Sequence, residues 1–243
     1  EDIDATPTGY LTTVLDNQGN QTATLVASGS NRKYVTINEI PINLQHAFVA
    51  IEDERFYDHN GIDLQGILRA GLKGVASGFH FSEGASTITQ QLLKNTVFTQ
   101  WTSEQSMADK FERKFQEQYL ALQLEKVVDK DWILENYLNA INLGQNTLGV
   151  GVASERYFGK DVSDLTLSEC AVLAAITQSP SYYNPITHPD HNKERRQKVL
   201  NNMLDQGYIS QSEYDEAVAD NVYDRIQVVN VESQDENINS YFV

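Results

Sequence analysis

The sequence predicts a mainly α-helical domain with a short N-terminal β-hairpin. Apolar residues recur at helical spacing from Thr36 to Ala219, and three of these runs open on Ser/Thr-x-x-Glu boxes. Only the first 35 residues read as extended, rich in Thr and Val. There, residues 10–15 and 22–26 flank the turn-forming Asp16-Asn17-Gln18-Gly19-Asn20, which gives the hairpin.

The boxes are Thr36/Glu39, Thr166/Glu169 and Ser210/Glu213. Leu44, Ala47, Phe48, Ile51 and the stem of Arg55 follow Pro41, which suits a first helical turn. Further helices are expected over residues 64–77, 86–98, 106–127, 130–141, 149–157, 168–178, 193–206 and 210–219. Loops fall at 78–84, 144–148 and 179–191, the last holding Pro180, Pro185 and Pro189. After Asp220 the pattern returns to β-like pieces around Ile226 and then a polar stretch. The organisation read from this is a hairpin or linker over 1–35, a helical domain over 36–220 and a linker over 221–243.

Composition narrows the function. A net charge of −16 argues against nucleic acid, whose binding rests on neutralising phosphates with Lys and Arg. The single cysteine, Cys170, lies in an apolar run and is expected as a buried, inert thiol. Five scattered histidines give no zinc-site spacing. No run reaches the roughly 18 apolar residues of a membrane span. The chain opens on Glu1 with no basic or apolar leader, and the expectation is a piece of a longer protein.

The chemistry is expected from two carboxylates, Glu52 and Glu117, because a pair in different surroundings is the usual equipment for glycosidic bonds. Glu52 sits at the edge of an apolar stripe, where partial desolvation would raise its pKa toward that of a general base or acid. A surface Glu beside Asp53 and Glu54 fits the same pattern. Ser86 suits an N-cap, and Thr87, Gln91, Lys94 and Asn95 share one face of the helix it would start. Helix N-terminus and donor stripe together suit a phosphate or pyrophosphate, although a solvated polar face reads the same way. On the next helix Arg113 and Glu117 stand at i and i+4, near Lys110 and Lys114, with Met107, Phe111, Phe115 and Leu122 expected on the buried side. Lys160, at a helix end marked by Gly159, reads as dipole decoration or a second anion contact.

Five ordered segments make a resemblance specific. Glu52-Asp53-Glu54-Arg55-Phe56-Tyr57-Asp58-His59-Asn60-Gly61 resembles the first signature of the peptidoglycan glycosyltransferases (glycosyltransferase family 51). The second, third and fourth are matched by residues 84–95, by Arg113-Lys114-Phe115-Gln116-Glu117 and by residues 130–139, and Arg195-Arg196-Gln197-Lys198-Val199-Leu200 resembles the fifth. The closing Ile238-Asn239-Ser240-Tyr241-Phe242-Val243 resembles the start of the transpeptidase module of class A penicillin-binding proteins.

The resemblance implies a lysozyme-like fold with a larger head lobe and a smaller membrane-facing jaw lobe. It implies polymerisation of lipid II, added to a growing lipid-linked strand at the extracytoplasmic face of a bacterial cell membrane. Residues 1–35 would then follow a missing membrane anchor, and 221–243 would lead to a missing transpeptidase module. Glu52 would be the general base, and Glu117 would assist departure of the pyrophosphate, directly or through a divalent cation (Mg or Mn); no organic cofactor is implied. Substrate contacts would come from Asp53, Phe56, His59, Ser86, Thr87, Gln90, Gln91, Lys94, Asn95, Arg113, Lys114 and Lys160. Phosphoglycolipid inhibitors such as moenomycin would share that site. The apolar segment 64–81, including Phe79 and Phe81, would be the exposed jaw, with Arg69 and Lys73 near lipid headgroups. Two alternatives stay open: a muramidase or lytic transglycosylase on the same scaffold, and a non-catalytic module that binds lipid-linked sugar.

Overall fold

A computed structural model describes residues 12–15, 21–25, 32–69, 86–97 and 107–228. Strands β1 (Thr12–Leu15) and β2 (Gln21–Leu25) pair antiparallel, Thr13 opposite Thr24. The rest is helical: α1 (Ile42–Glu52), α2 (Ile88–Thr96), α3 (Met107–Leu124), α4 (Lys130–Ala140), α5 (Val150–Phe158), α6 (Leu167–Ala174), α7 (Pro189–Asp205) and α8 (Gln211–Ala219). A further helical segment begins at residues 64–69. Among the described residues no helix is long and apolar enough to cross a membrane.

The centre of the packing is α6. Cys170 to Ala174 are fully buried, as are Ala175 and Ile176 just beyond it, so from Cys170 on this segment is apolar on every side and must be enclosed. Helices α1 and α7 pack on it, and α5 and α8 complete the enclosure. Burial pushes the Cys170 thiol far up, which keeps it protonated. A second group, α2 with α3 and α4, joins the same core, with the Phe48 ring edge-on to Tyr137 at 6.2 Å. The buried amide of Asn139 grips both the N–H and the C=O of Val35, which fixes the entry to the helical domain.

Capping follows the sequence, with two corrections. The Thr166/Glu169 and Ser210/Glu213 boxes form as expected. Thr36 and Glu39 instead close a turn, because α1 starts only after Pro41, its N-cap residue. Helix α2 is capped by Thr87 and not by Ser86: Thr87 Oγ accepts from the Gln90 N–H, and the Gln90 side chain accepts from the Thr87 N–H. Near the C-terminus, residues 222–225 form a 3-10 turn and 226–228 no strand, contrary to the β-like reading. Helix α3 also turns its other side inward. Phe115 is 72% and Tyr119 62% exposed, Leu122 is exposed as well, and Glu117, Ala121 and Leu124 are buried. The expectation that Phe115 and Leu122 mark the buried side is therefore overturned.

Glu169, at the start of α6, is fully buried and carries a charge. Lys160 Nζ reaches it at 2.6 Å, Arg225 Nε at 3.0 Å and the Thr166 N–H at 2.9 Å. Burial alone would raise its pKa, but these donors outweigh it and the net is a value below the ordinary 4.5. A depressed folded pKa stabilises the protein above the unfolded value, and that stabilisation is lost as pH falls through the folded one. Glu169→Gln should therefore lower Tm at pH 7, by an amount matching about 2–4 kcal/mol of lost pairing. Its Tm should also fall less steeply than the wild type's below pH 4.5 in thermal melts; parallel curves would remove Glu169 from the acid response.

Candidate active site

Helix α1 ends at Glu52 because Asp53 leaves helical geometry (φ −155°) and turns its carboxylate inward. That carboxylate accepts from the first N–H of α2, Ile88, at 2.9 Å and from His59 Nε2 at 2.9 Å. The Gly61 N–H donates to His59 Nδ1, so the ring proton sits on Nε2 and points at Asp53. Thr87 Oγ bonds the Gly61 carbonyl at 2.8 Å, which ties the cap of α2 to the same loop. Gly61 lies at φ +90°, and a Cβ there would come within 2.6 Å of the Ala121 carbonyl, so only glycine lets this loop cross α3. Phe56 is fully buried beneath it, with the Lys130 ammonium 4.5 Å from its ring centre.

Asp53, Phe56, His59, Thr87 and Gln90 thus face each other inside the protein and hold the site's frame. The Ile88 and Gln90 N–H groups already have acceptors in Asp53 and Thr87. Two of the first-turn N–H groups of α2 are thus engaged within the protein.

Beside this frame opens a cleft of about 450 Å³, lined among others by Glu52, Glu54, Arg69, Ser86, Gln91, Gln178, Arg195 and Lys198. The Glu52 side chain is 13% exposed and surrounded by donors: Thr177 Oγ and Arg195 Nη2 (3.2 Å) on Oε1, Gln91 Nε2 (3.1 Å) on Oε2. Gln91 turns its N–H₂ to Glu52 and its oxygen to the Tyr137 phenol. Burial, then the charges of Glu52 and Asp53, hold that phenol well above the ordinary range, so it stays a donor to Gln91 Oε1.

Glu117 has different company. It is 2% exposed, with Lys114 Nζ 2.6 Å from Oε1 and Arg113 Nη1 3.2 Å from Oε2. Lys114 also donates to Ser86 Oγ at 2.8 Å, the hydroxyl left over because Thr87 does the capping. Gln91 Nε2 also lies 3.5 Å from the Ser86 backbone carbonyl, so the polar groups between Glu52 and Glu117 are the Gln91 side chain, both the carbonyl and the hydroxyl of Ser86, and the Lys114 ammonium. Lys94 is exposed at the far end of α2, and Asn95 is half-buried beside it.

Lys160 stands apart from this cleft. Its ammonium is taken by Glu169 in the first turn of α6, whereas Thr177, beyond the other end of α6, reaches Glu52. Eight residues of helical rise put these about 12 Å apart. Sequence reasoning missed Thr177, Gln178, Arg195 and Lys198 as site residues; only Arg195 and Lys198 carried a signal, as cations of the fifth motif three residues apart.

Residues 18–204 match the transglycosylase family model. The chain belongs to the transglycosylase family. It is 48% identical over 201 residues to penicillin-binding protein 1F of Bacillus subtilis (strain 168), covering 82% of this chain and 27% of that protein. It is 46% identical over 182 residues to penicillin-binding protein 1A of Escherichia coli (strain K12), covering 75% of this chain and 20% of that one. The chain thus spans about a quarter of the length of the curated relatives it matches. A crystal structure of penicillin-binding protein 1A from Haemophilus influenzae has the same fold (TM-score 0.50, 24% identity, 93% of this chain and 22% of that chain).

Removing the frame should remove the site. Asp53→Asn keeps the shape but aims an N–H₂ group at either the Ile88 N–H or the His59 Nε2–H. The expected outcome is a loss of about 1–3 kcal/mol in denaturant unfolding, with the activity proposed below lost as well. Full activity and unchanged stability would show that the junction of α1 and α2 does not depend on Asp53.

Proposed function

We propose that this chain is a peptidoglycan glycosyltransferase. It polymerises lipid II, joining disaccharide-pentapeptide units through β-1,4 bonds and releasing undecaprenyl pyrophosphate with inversion at the donor sugar. The carrying observation is the contrast between the two carboxylates: Glu52 opens on the cleft among neutral and cationic donors, while Glu117 is buried between Lys114 and Arg113.

In the proposed reaction the acceptor 4-hydroxyl gives its proton to Glu52 as its oxygen bonds to the donor C1. The C1–O bond to pyrophosphate breaks on the opposite face, and the departing negative charge meets Lys114 and Arg113. Glu117 holds that pair of cations in place. Mg or Mn at Glu117 fits poorly, since both carboxylate oxygens already accept from cations and the described residues offer no cluster of three metal-ligating side chains. The mechanism therefore runs through side chains.

The setting follows from the same reading. Leu64 and Leu68 are exposed at i and i+4, 74% and 64%, which supports membrane contact at the start of the expected jaw; the remainder, with Phe79 and Phe81, lies outside the described residues. The relatives' names support a module of a larger penicillin-binding protein; action at the outer face of the cell membrane and a neighbouring transpeptidase module are part of the same proposal. A phosphoglycolipid such as moenomycin would compete for the cleft.

The test is polymerisation of purified lipid II, with finished glycan strands as a parallel substrate. Polymer from lipid II is expected, and Glu52→Gln should reduce its rate on the order of a thousandfold while pyrophosphate-lipid binding persists. Fragments released from strands, with no polymer from lipid II, would replace synthesis by cleavage.

A further inference from the structure

The two oxygens of Glu52 are held differently. Among the described residues, Oε1 takes the Thr177 hydroxyl and the Arg195 guanidinium, whereas Oε2 takes only Gln91 Nε2. Resting on the glycosyltransferase reading, we propose that Arg195 and Thr177 are positioning residues that clamp Glu52 Oε1, so that Oε2 is the atom that receives the acceptor proton. A carboxylate oxygen has two lone-pair directions in its plane; on Oε1 both are occupied, on Oε2 one remains.

Arg195 is built as a fixed clamp and not as a mobile substrate contact. Its side chain is 9% exposed, its Nη1 donates to Gln178 Oε1 at 2.7 Å, and its guanidinium lies 5.0 Å from the Tyr183 ring centre. Gln178 and Tyr183 hold it whether Glu52 is charged or neutral. Thr177 suits both states as well. Its single proton goes to Glu52 when the base is ionised; when Glu52 carries a proton, the hydroxyl can turn to the Ala174 carbonyl 3.1 Å away. The transfer balances: the acceptor O–H proton goes to Oε2, its electron pair forms the bond to C1, and the C1–O pair leaves with the pyrophosphate.

The experiment combines kinetics with structure. Arg195→Met and Thr177→Val are compared with wild type for kcat and KM on lipid II, after melts confirm folding, and crystal structures of wild type and Arg195→Met are solved. Arg195→Met should lower kcat about a hundredfold with KM changed less than threefold, and Arg195→Lys should recover part of that loss. In a Glu52→Gln background Arg195→Met should cost nothing further, since the two act as one unit. The Arg195→Met crystal should show the Glu52 carboxylate in another rotamer. A rise in KM at constant kcat would make Arg195 a substrate contact, and an unmoved Glu52 would overturn the clamp whatever the activity. A wild type that polymerises nothing sinks the proposed function, while the Glu52 rotamer still decides the positioning claim.

Discussion

Asp53 is the contact on which the cleft depends. A buried carboxylate must be fully hydrogen-bonded to be tolerated, and Asp53 is satisfied by an arrangement that joins three parts of the chain. It ends α1, so Glu52 becomes the last helical residue. It accepts the first N–H of α2, which fixes that helix end to end with α1 and sets Gln91 one turn beyond, within reach of Glu52. Through His59 it orders the loop at Gly61, where the chain crosses the backbone of α3 and so places the helix that carries Glu117. One acceptor group therefore sets the mutual position of both candidate carboxylates.

From that junction, hydrogen-bond direction does the rest. Gln91 gives its N–H₂ to Glu52, which leaves its oxygen to accept from the Tyr137 phenol, a group that burial keeps protonated. On the other side, the capping of α2 by Thr87 releases the Ser86 hydroxyl to accept from Lys114, which is then shared with Glu117. The same polar chain carries a carboxylate open to the cleft at one end and a buried, doubly paired one at the other. Such a gradient of surroundings lets two identical groups take different parts in one displacement.

Helix positions and the buried run of α6 were legible because periodicity and unbroken apolarity are local signals. The faces were less so. On α3, Met107, Phe111, Phe115 and Leu122 suggested a buried stripe, yet an aromatic row can serve lipid or partner as well as core, and the helix turns Glu117 inward. Ser86 and Thr87 were both credible caps; Gln90 decides for Thr87, since the reciprocal bond needs a Gln or Glu three residues on. The ring of motif residues could be named from the chain, but not its division into frame and cleft. Arg195 was hidden for a simpler reason, because its partner Glu52 lies 143 positions away. The Glu169 partner of Lys160 was hidden because a cation after a helix-ending glycine looks the same whether it meets a ligand or a buried carboxylate.

The reversed face of α3 bears on the proposed substrate. At about 100° per residue, Phe115, Tyr119 and Leu122 all fall within about 40° of the direction opposite Glu117. One helix thus carries the Glu117–Lys114–Arg113 cluster on its inner side and an exposed apolar row on its far side, roughly 10 Å away across its own width. A free sugar phosphate would use only the first of these surfaces. A lipid-linked pyrophosphate at a bilayer would use both, with its charge beside Lys114 and Arg113 and the apolar row against the acyl boundary. An exposed apolar row marks an interaction surface, and under the proposed function that surface would be the membrane that carries the substrate.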